Sequence, residues 1–289
     1  MSPLPPNTTP VPPPIFEPGM TSATTTTAPT PSPVPHRPKQ PDSEPDPDPQ
    51  PDTKPPAHPL PRIRLHLNDL SDAGTSLFLS SVSAAELLPS SIRTVQSHLY
   101  PLAPSTCSPT TAPTPTPWHL PPTRSITLIL RPMDGVAYTS GLELDPVHHK
   151  EIHLSTTYLS SVPASRVGAE IAGVLVHELV HCYQYNGSGT APGGLIEGIA
   201  DWVRLGADLA PPHWKAGEVG EKWDAGYQRT AYFLAWLARR FGGDTVRRVN
   251  EKLRAGKYEE PGFWVELLGR EVGDLWEEYK ESVKKGKGE

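Results

Sequence analysis

The sequence predicts an α+β domain in which a mixed or antiparallel sheet comes first and a helical part follows. Three observations lead there. Short alternating or apolar runs, bounded by turn residues, occupy much of the chain between residues 62 and 155. From Ser165 onward, apolar residues recur at three- and four-residue steps instead. The first 60 residues can join neither layer, because more than half of the chain's 38 prolines lie there among Thr, Ser and Asp.

That segment, 1–60, reads as a disordered tail of polyproline character. It has almost no large apolar residues with which to offset its ordering entropy. Its acidic, proline-dense run begins Pro41-Asp42-Ser43-Glu44-Pro45. A competing role for the tail is as ligand for a proline-recognising module. The domain proper is expected over 61–285, and roughly 225 residues suffice for a single core.

Within it, Arg62-Ile63-Arg64-Leu65-His66-Leu67 alternates polar with apolar, as a half-buried strand does. Residues 84–100 carry Leu87, Leu88, Ile92, Val95 and Leu99 at helical spacing. The stretch 101–122, rich in Pro, Thr and Ser, reads as a long, mobile surface loop. Strands are expected at 124–130, 135–139 and 151–155, with turn signals between them. Val167, Ile171, Val174, Leu175, Leu179 and Cys182 then line a helix that Asn186-Gly187 and Ser188-Gly189 should end. Gly193-Gly194 opens a second helix over 195–205, and Pro211-Pro212 interrupts the chain again. Further helices are expected at 225–241, 244–254 and 272–283.

The net charge of −6 gives no reason to expect nucleic acid binding. No stretch approaches the ~20 apolar residues of a membrane span. The N-terminus lacks the basic start and apolar run of a secretory signal, so the compartment stays open, as does the oligomeric state. Of the two cysteines, Cys107 falls in the long loop. Cys182 turns away from the face of the preceding histidine and reads as a small buried residue.

The chemistry concentrates at His177-Glu178-Leu179-Val180-His181. Two histidines four apart on a helix project from one face, so both imidazoles can reach one zinc ion. Glu178 then stands where a carboxylate can serve as general base towards a zinc-activated water. A catalytic zinc needs three protein ligands and one open position. Glu197, on the next helix beyond a glycine-rich turn, is the candidate for the third. Asp201 lies one turn after Glu197 on the same face, placed to accept the spare N–H of a ligand histidine. Both carboxylates interrupt an otherwise apolar helix (Leu195, Ile196, Ile199, Ala200, Trp202, Val203), where charges are rarely buried without partners. The remaining histidines near turns and strands, His148, His149, His153 and His213, can contact substrate, but each is more often a plain surface or hydrogen-bonded histidine.

The segment Gly173-Val174-Leu175-Val176-His177-Glu178-Leu179-Val180-His181-Cys182-Tyr183-Gln184-Tyr185-Asn186-Gly187 resembles the core of the plant basic secretory proteins, which fungal and bacterial members share. Ala191-Pro192-Gly193-Gly194-Leu195-Ile196-Glu197-Gly198-Ile199-Ala200-Asp201-Trp202 continues the likeness. So do Ala210-Pro211-Pro212-His213-Trp214 and Gly226-Tyr227-Gln228-Arg229-Thr230-Ala231-Tyr232. The resemblance runs from about residue 62 to 283 and leaves out the tail and the loop 101–122. It implies a zincin-like fold and a gluzincin-like zinc metallopeptidase, whose Glu-x-x-x-Asp segment falls on Glu197 and Asp201. The family name denotes basic, secreted proteins, whereas this chain is acidic overall.

The expected activity is zinc-dependent hydrolysis of a peptide or protein substrate. Tyr227 and Tyr232, on the helix after the ligand segment, are candidates to stabilise the oxyanion, with core packing as the competing role. A strand edge, at 135–139 or 151–155, can hold an extended peptide by backbone pairing. Two other classes compete: a zinc-binding defence or interaction protein of the same fold without turnover, and an interaction protein whose active part is the proline-rich tail.

Overall fold

The computed structural model describes residues 57–102, 118–260 and 262–286. Residues 1–56 of the expected tail and 103–117 of the expected loop, with Cys107, lie outside them. Among the described residues, four strands form one sheet: β1 (Arg62–Leu67), β2 (Ser125–Arg131), β3 (Ala137–Leu142) and β4 (Asp145–Ser155), in the order β1-β2-β4-β3. β1 pairs parallel with β2 and β2 parallel with β4, while β3 runs antiparallel to β4. The sheet is therefore mixed, and the domain is α+β. A parallel β1–β2 pair needs a crossover, supplied by helices α1 (Ala73–Ser81) and α2 (Ala84–Leu99). β3 and β4 need only a tight turn, and they form a hairpin that extends β4 six residues further back than the expected strand.

One sheet face carries the core. Ile126, Leu128 and Leu130 of β2 and Ile152 and Leu154 of β4 are fully buried, following the two-residue period of a strand. Helices cover that face. α3 (Thr156–Ser161) and a 3-10 turn (Ala164–Arg166) lead into α4 (Val167–His181). α4 is apolar nearly all round, burying Val167, Ile171, Val174, Leu175, Val176, Leu179 and Val180, so it runs through the interior rather than along the surface. It packs against α2, β3 and α5 (Gly193–Gly206). α6 (Tyr227–Phe241), α7 (Thr245–Ala255), α8 (Gly262–Leu268) and α9 (Val272–Gly286) complete the helical part.

α4 stops at His181, five residues before the expected Asn-Gly signal. The Cys182 N–H turns back to the Leu179 carbonyl (3.1 Å) and the Tyr183 N–H to the Val180 carbonyl (2.8 Å), three-residue bonds that tighten the last turn. Beyond it, Tyr185 N donates to Asn250 Oδ1 (2.9 Å) and Gly187 N to the Leu253 carbonyl (3.1 Å), so α7 takes up donors that a longer helix would have used. Ahead of β1, His58 Nε2 donates to the Tyr100 carbonyl (2.6 Å), joining residues before position 61 to the end of α2.

Candidate active site

α4 places His177 and His181 one turn apart, and their rings meet edge to face with centroids 4.9 Å apart. Their Nε2 atoms lie 3.2 Å from each other. α5 crosses α4 and brings Glu197 in from the other side. Its Oε2 is 3.0 Å from His177 Nε2 and its Oε1 3.7 Å from His181 Nε2. One ligand atom from each of the three residues lies within 4.8 Å of the others, and among the described residues no other set of three His, Cys, Asp or Glu meets in this way. Two imidazole nitrogens at 3.2 Å can share only one proton, and a carboxylate faces both. A divalent cation satisfies all three donors together, so the residues present fit a metal.

Asp201 is buried behind the first histidine, and His177 Nδ1–H donates to its Oδ1 (2.6 Å). That bond leaves His177 Nε2 as the face turned to Glu197 and His181. Burial by itself would lower the His177 pKa. Hydrogen bonds to Asp201 and Glu197 outweigh it and raise the group to about 9. Burial pushes the Glu197 carboxyl up, but the bonds to His177 and His181 prevail and hold it at about 2. Glu178, also buried, points towards the sheet. Thr139 Oγ1 on β3 lies 2.8 Å from Glu178 Oε2 and 2.9 Å from the Glu178 carbonyl, either of which can accept its proton.

These groups line one cleft of about 980 Å³. Residues 135–139 form one wall, α4 and α5 the floor, and residues 211–214 and 225–229 the remaining sides. Of the two strands considered for backbone pairing, 151–155 belongs to β4, inside the sheet, while β3 is an edge strand and borders the cleft.

Tyr227 reaches the site. Its ring lies nearly parallel to His177 at 6.2 Å, its side chain lines the cleft, and the nearby Glu197 charge, followed by burial, raises its pKa. The backbone there is unusual: Gly226 has φ +86° and Tyr227 has φ +47°, a region that costs a non-glycine residue about 1 kcal/mol or more. Close packing holds it. A Cβ on Gly194 would meet the Asp224 carbonyl oxygen at 1.8 Å, and one on Gly198 would meet Thr230 Cγ2 at 2.2 Å. The glycine face of α5 thus admits the chain that sets Tyr227 over His177. Tyr232, five residues further on and so on a different face of α6, packs against the core and is not among the cleft residues. His213 lines the cleft. His148 pairs with Asp145, His149 with Ser125, and His153 stacks on Tyr138, all on the sheet. Cys182 is a buried free thiol, away from the ligand atoms.

Two site neighbours escaped the sequence reading. Thr139 gave no local signal, since nothing in a strand marks which residue will meet a helix 39 positions later. Gln184, whose amide lies 2.6 Å from His181 Nδ1, did carry one: it stands three residues after His181, a spacing that brings side chains together at a helix end.

Neither the search of curated proteins nor that of solved structures gave a match. A family model described as a peptidase of plants and bacteria matches residues 60–279, which takes in every strand and helix of the site. That match spans most of the chain, and the chain therefore belongs to this peptidase family, the basic secretory proteins.

Proposed function

We propose that the protein is a zinc-dependent peptidase in which His177, His181 and Glu197 hold the metal and Glu178 is the general base. The observation that carries this reading is the convergence of three ligand atoms within 4.8 Å, beside a buried carboxylate, in a cleft bordered by an edge strand. When bound at such a site, zinc supplies Lewis acidity, polarising a carbonyl and lowering the pKa of a water to about 7. A set of three ligands supports catalysis over a structural role, which normally uses four protein ligands.

The chain's own groups then divide the work. Asp201 accepts the Nδ1 proton of His177 and keeps that ring oriented. Glu178 takes the proton of the attacking water and delivers it to the leaving nitrogen. Thr139 holds Glu178 against the sheet. Tyr227, which can turn its hydroxyl into the cleft, is the donor for the oxyanion, a role that Tyr232 is too far around the helix to share. The free edge of β3 receives the substrate backbone as an added strand.

The test is to purify the protein, measure its zinc, and compare it with Glu178→Gln on an unfolded protein substrate. The expected result is one zinc per chain in both, with turnover lowered by roughly 10²- to 10⁴-fold in the variant. Full activity in Glu178→Gln would remove the general base. Zinc bound without turnover in the wild type would favour the non-catalytic binding protein, and no zinc in the wild type would end both metal readings.

A further inference from the structure

The two histidines of the site are backed differently. His177 Nδ1 faces a buried carboxylate, Asp201, at 2.6 Å. His181 Nδ1 faces a neutral amide, that of Gln184, also at 2.6 Å. The Gln184 backbone is pinned on both sides: its N–H bonds to the Val180 carbonyl, Tyr183 before it is 1% exposed, and Tyr185 after it is tied to Asn250. The side chain therefore folds back on His181 from a fixed base. The amide Nε2 faces His181 Nδ1, and Gln184 Oε1 is buried with no partner among the described residues.

An imidazole has one proton for two nitrogens when neutral. If His181 Nε2 gives its lone pair to a metal, Nδ1 carries the proton and needs an acceptor. A half-turn of the Gln184 amide about its last bond exchanges its two ends without moving the heavy-atom positions. The oxygen then receives the Nδ1 proton, and Nε2 takes the buried position that Oε1 held.

We propose that Gln184 is the positioning residue for His181: its amide oxygen accepts the Nδ1 proton and so holds Nε2 as the lone-pair donor to the metal. The assignment rests on the zinc site proposed above. It makes the pair of histidines asymmetric by design, one ring supported by a charge and the other by a neutral acceptor.

The experiment is zinc competition against a chromophoric chelator with the full chain, in wild type, Gln184→Met and Gln184→Glu. Methionine keeps the length and packing but accepts poorly; glutamate keeps the acceptor. Gln184→Met is expected to bind zinc roughly 10- to 100-fold more weakly, with an unchanged unfolding curve in the absence of metal. Gln184→Glu is expected to match or exceed wild-type affinity. Wild-type affinity in Gln184→Met, or equal losses in both variants, would overturn the assignment. Long-range ¹H–¹⁵N spectra of the zinc-loaded wild type give a test that needs no variant: a proton on His181 Nδ1 supports the assignment, and one on Nε2 overturns it. If the wild type binds no zinc, the metal site falls and the assignment with it. If the wild type binds zinc and Gln184→Met binds it equally well, only the assignment falls.

Discussion

The two walls of the cleft are built on opposite plans. On the helical side, the proposed ligand groups sit on α4 and α5, and each has its partner: His177 with Asp201 and Glu197, His181 with Gln184 and Glu197. On the strand side, Val136 and Tyr138 are 39% and 41% exposed, and the hairpin beyond them shows Leu142, Leu144 and Val147 to solvent. Among the described residues, the β3 edge has no strand beyond it in the sheet. Helices inside a core hold side chains to close tolerances. An open edge offers backbone groups, which accept any sequence that can extend. On the function proposed above, the rigid wall would set the reaction geometry and the open one would receive substrate. Thr139 links them by touching Glu178 across the cleft.

Several measurements can break or sharpen that contrast. The largest effect should follow removal of the metal by a chelator: activity is lost and thermal stability falls, by about 2.7 kcal/mol relative to protein held at a hundredfold excess of zinc over its Kd. Melting curves identical with and without zinc would mean that the helical wall is complete without it. Next is Gly194→Ala. The new methyl would face the Asp224 carbonyl oxygen at 1.8 Å, and backbone cannot give way as a side chain can. A loss of about 1–3 kcal/mol is expected, while Gly193→Ala, which meets nothing within 4 Å, should be neutral or slightly stabilising. Equal melting temperatures for the pair would undo the argument for glycine-mediated packing. Asp201→Asn should weaken zinc binding roughly 10- to 100-fold in chelator competition. Thr139→Val should cost about 0.5–1.5 kcal/mol through the lost hydroxyl bond, read from denaturant unfolding. Smallest is Leu144→Ser: that side chain is 94% exposed, and a stability change within about 0.5 kcal/mol is expected.

The helices that build the site were legible because their burial is periodic. α4 and α5 repeat apolar residues every three or four positions, and the charged exceptions, Glu197 and Asp201, are the groups that meet His177. α1 was not legible. It buries Gly74, Thr75 and Phe78, and a Cβ on Gly74 would meet the Thr156 carbonyl oxygen at 2.1 Å. A helix that packs through a glycine leaves no apolar stripe to read. The first half of β4 was missed for a related reason: none of residues 145–150 is fully buried, and pairing with β3 is what keeps them extended.

What the sequence determined by itself was the placement of the candidate site residues along their helices. His177, Glu178 and His181 share a helix, so their spacing alone sets their relative placement, and one turn likewise links Glu197 to Asp201. Only the tertiary structure decided which strand is the open edge, which of Tyr227 and Tyr232 enters the cleft, and that Thr139 and Gln184 complete the surroundings of Glu178 and His181. Those outcomes depend on sheet order and on how closely α5 approaches the chain before α6. Helix periodicity is a local property with a fixed repeat. Contacts between distant elements depend on packing that no local pattern encodes.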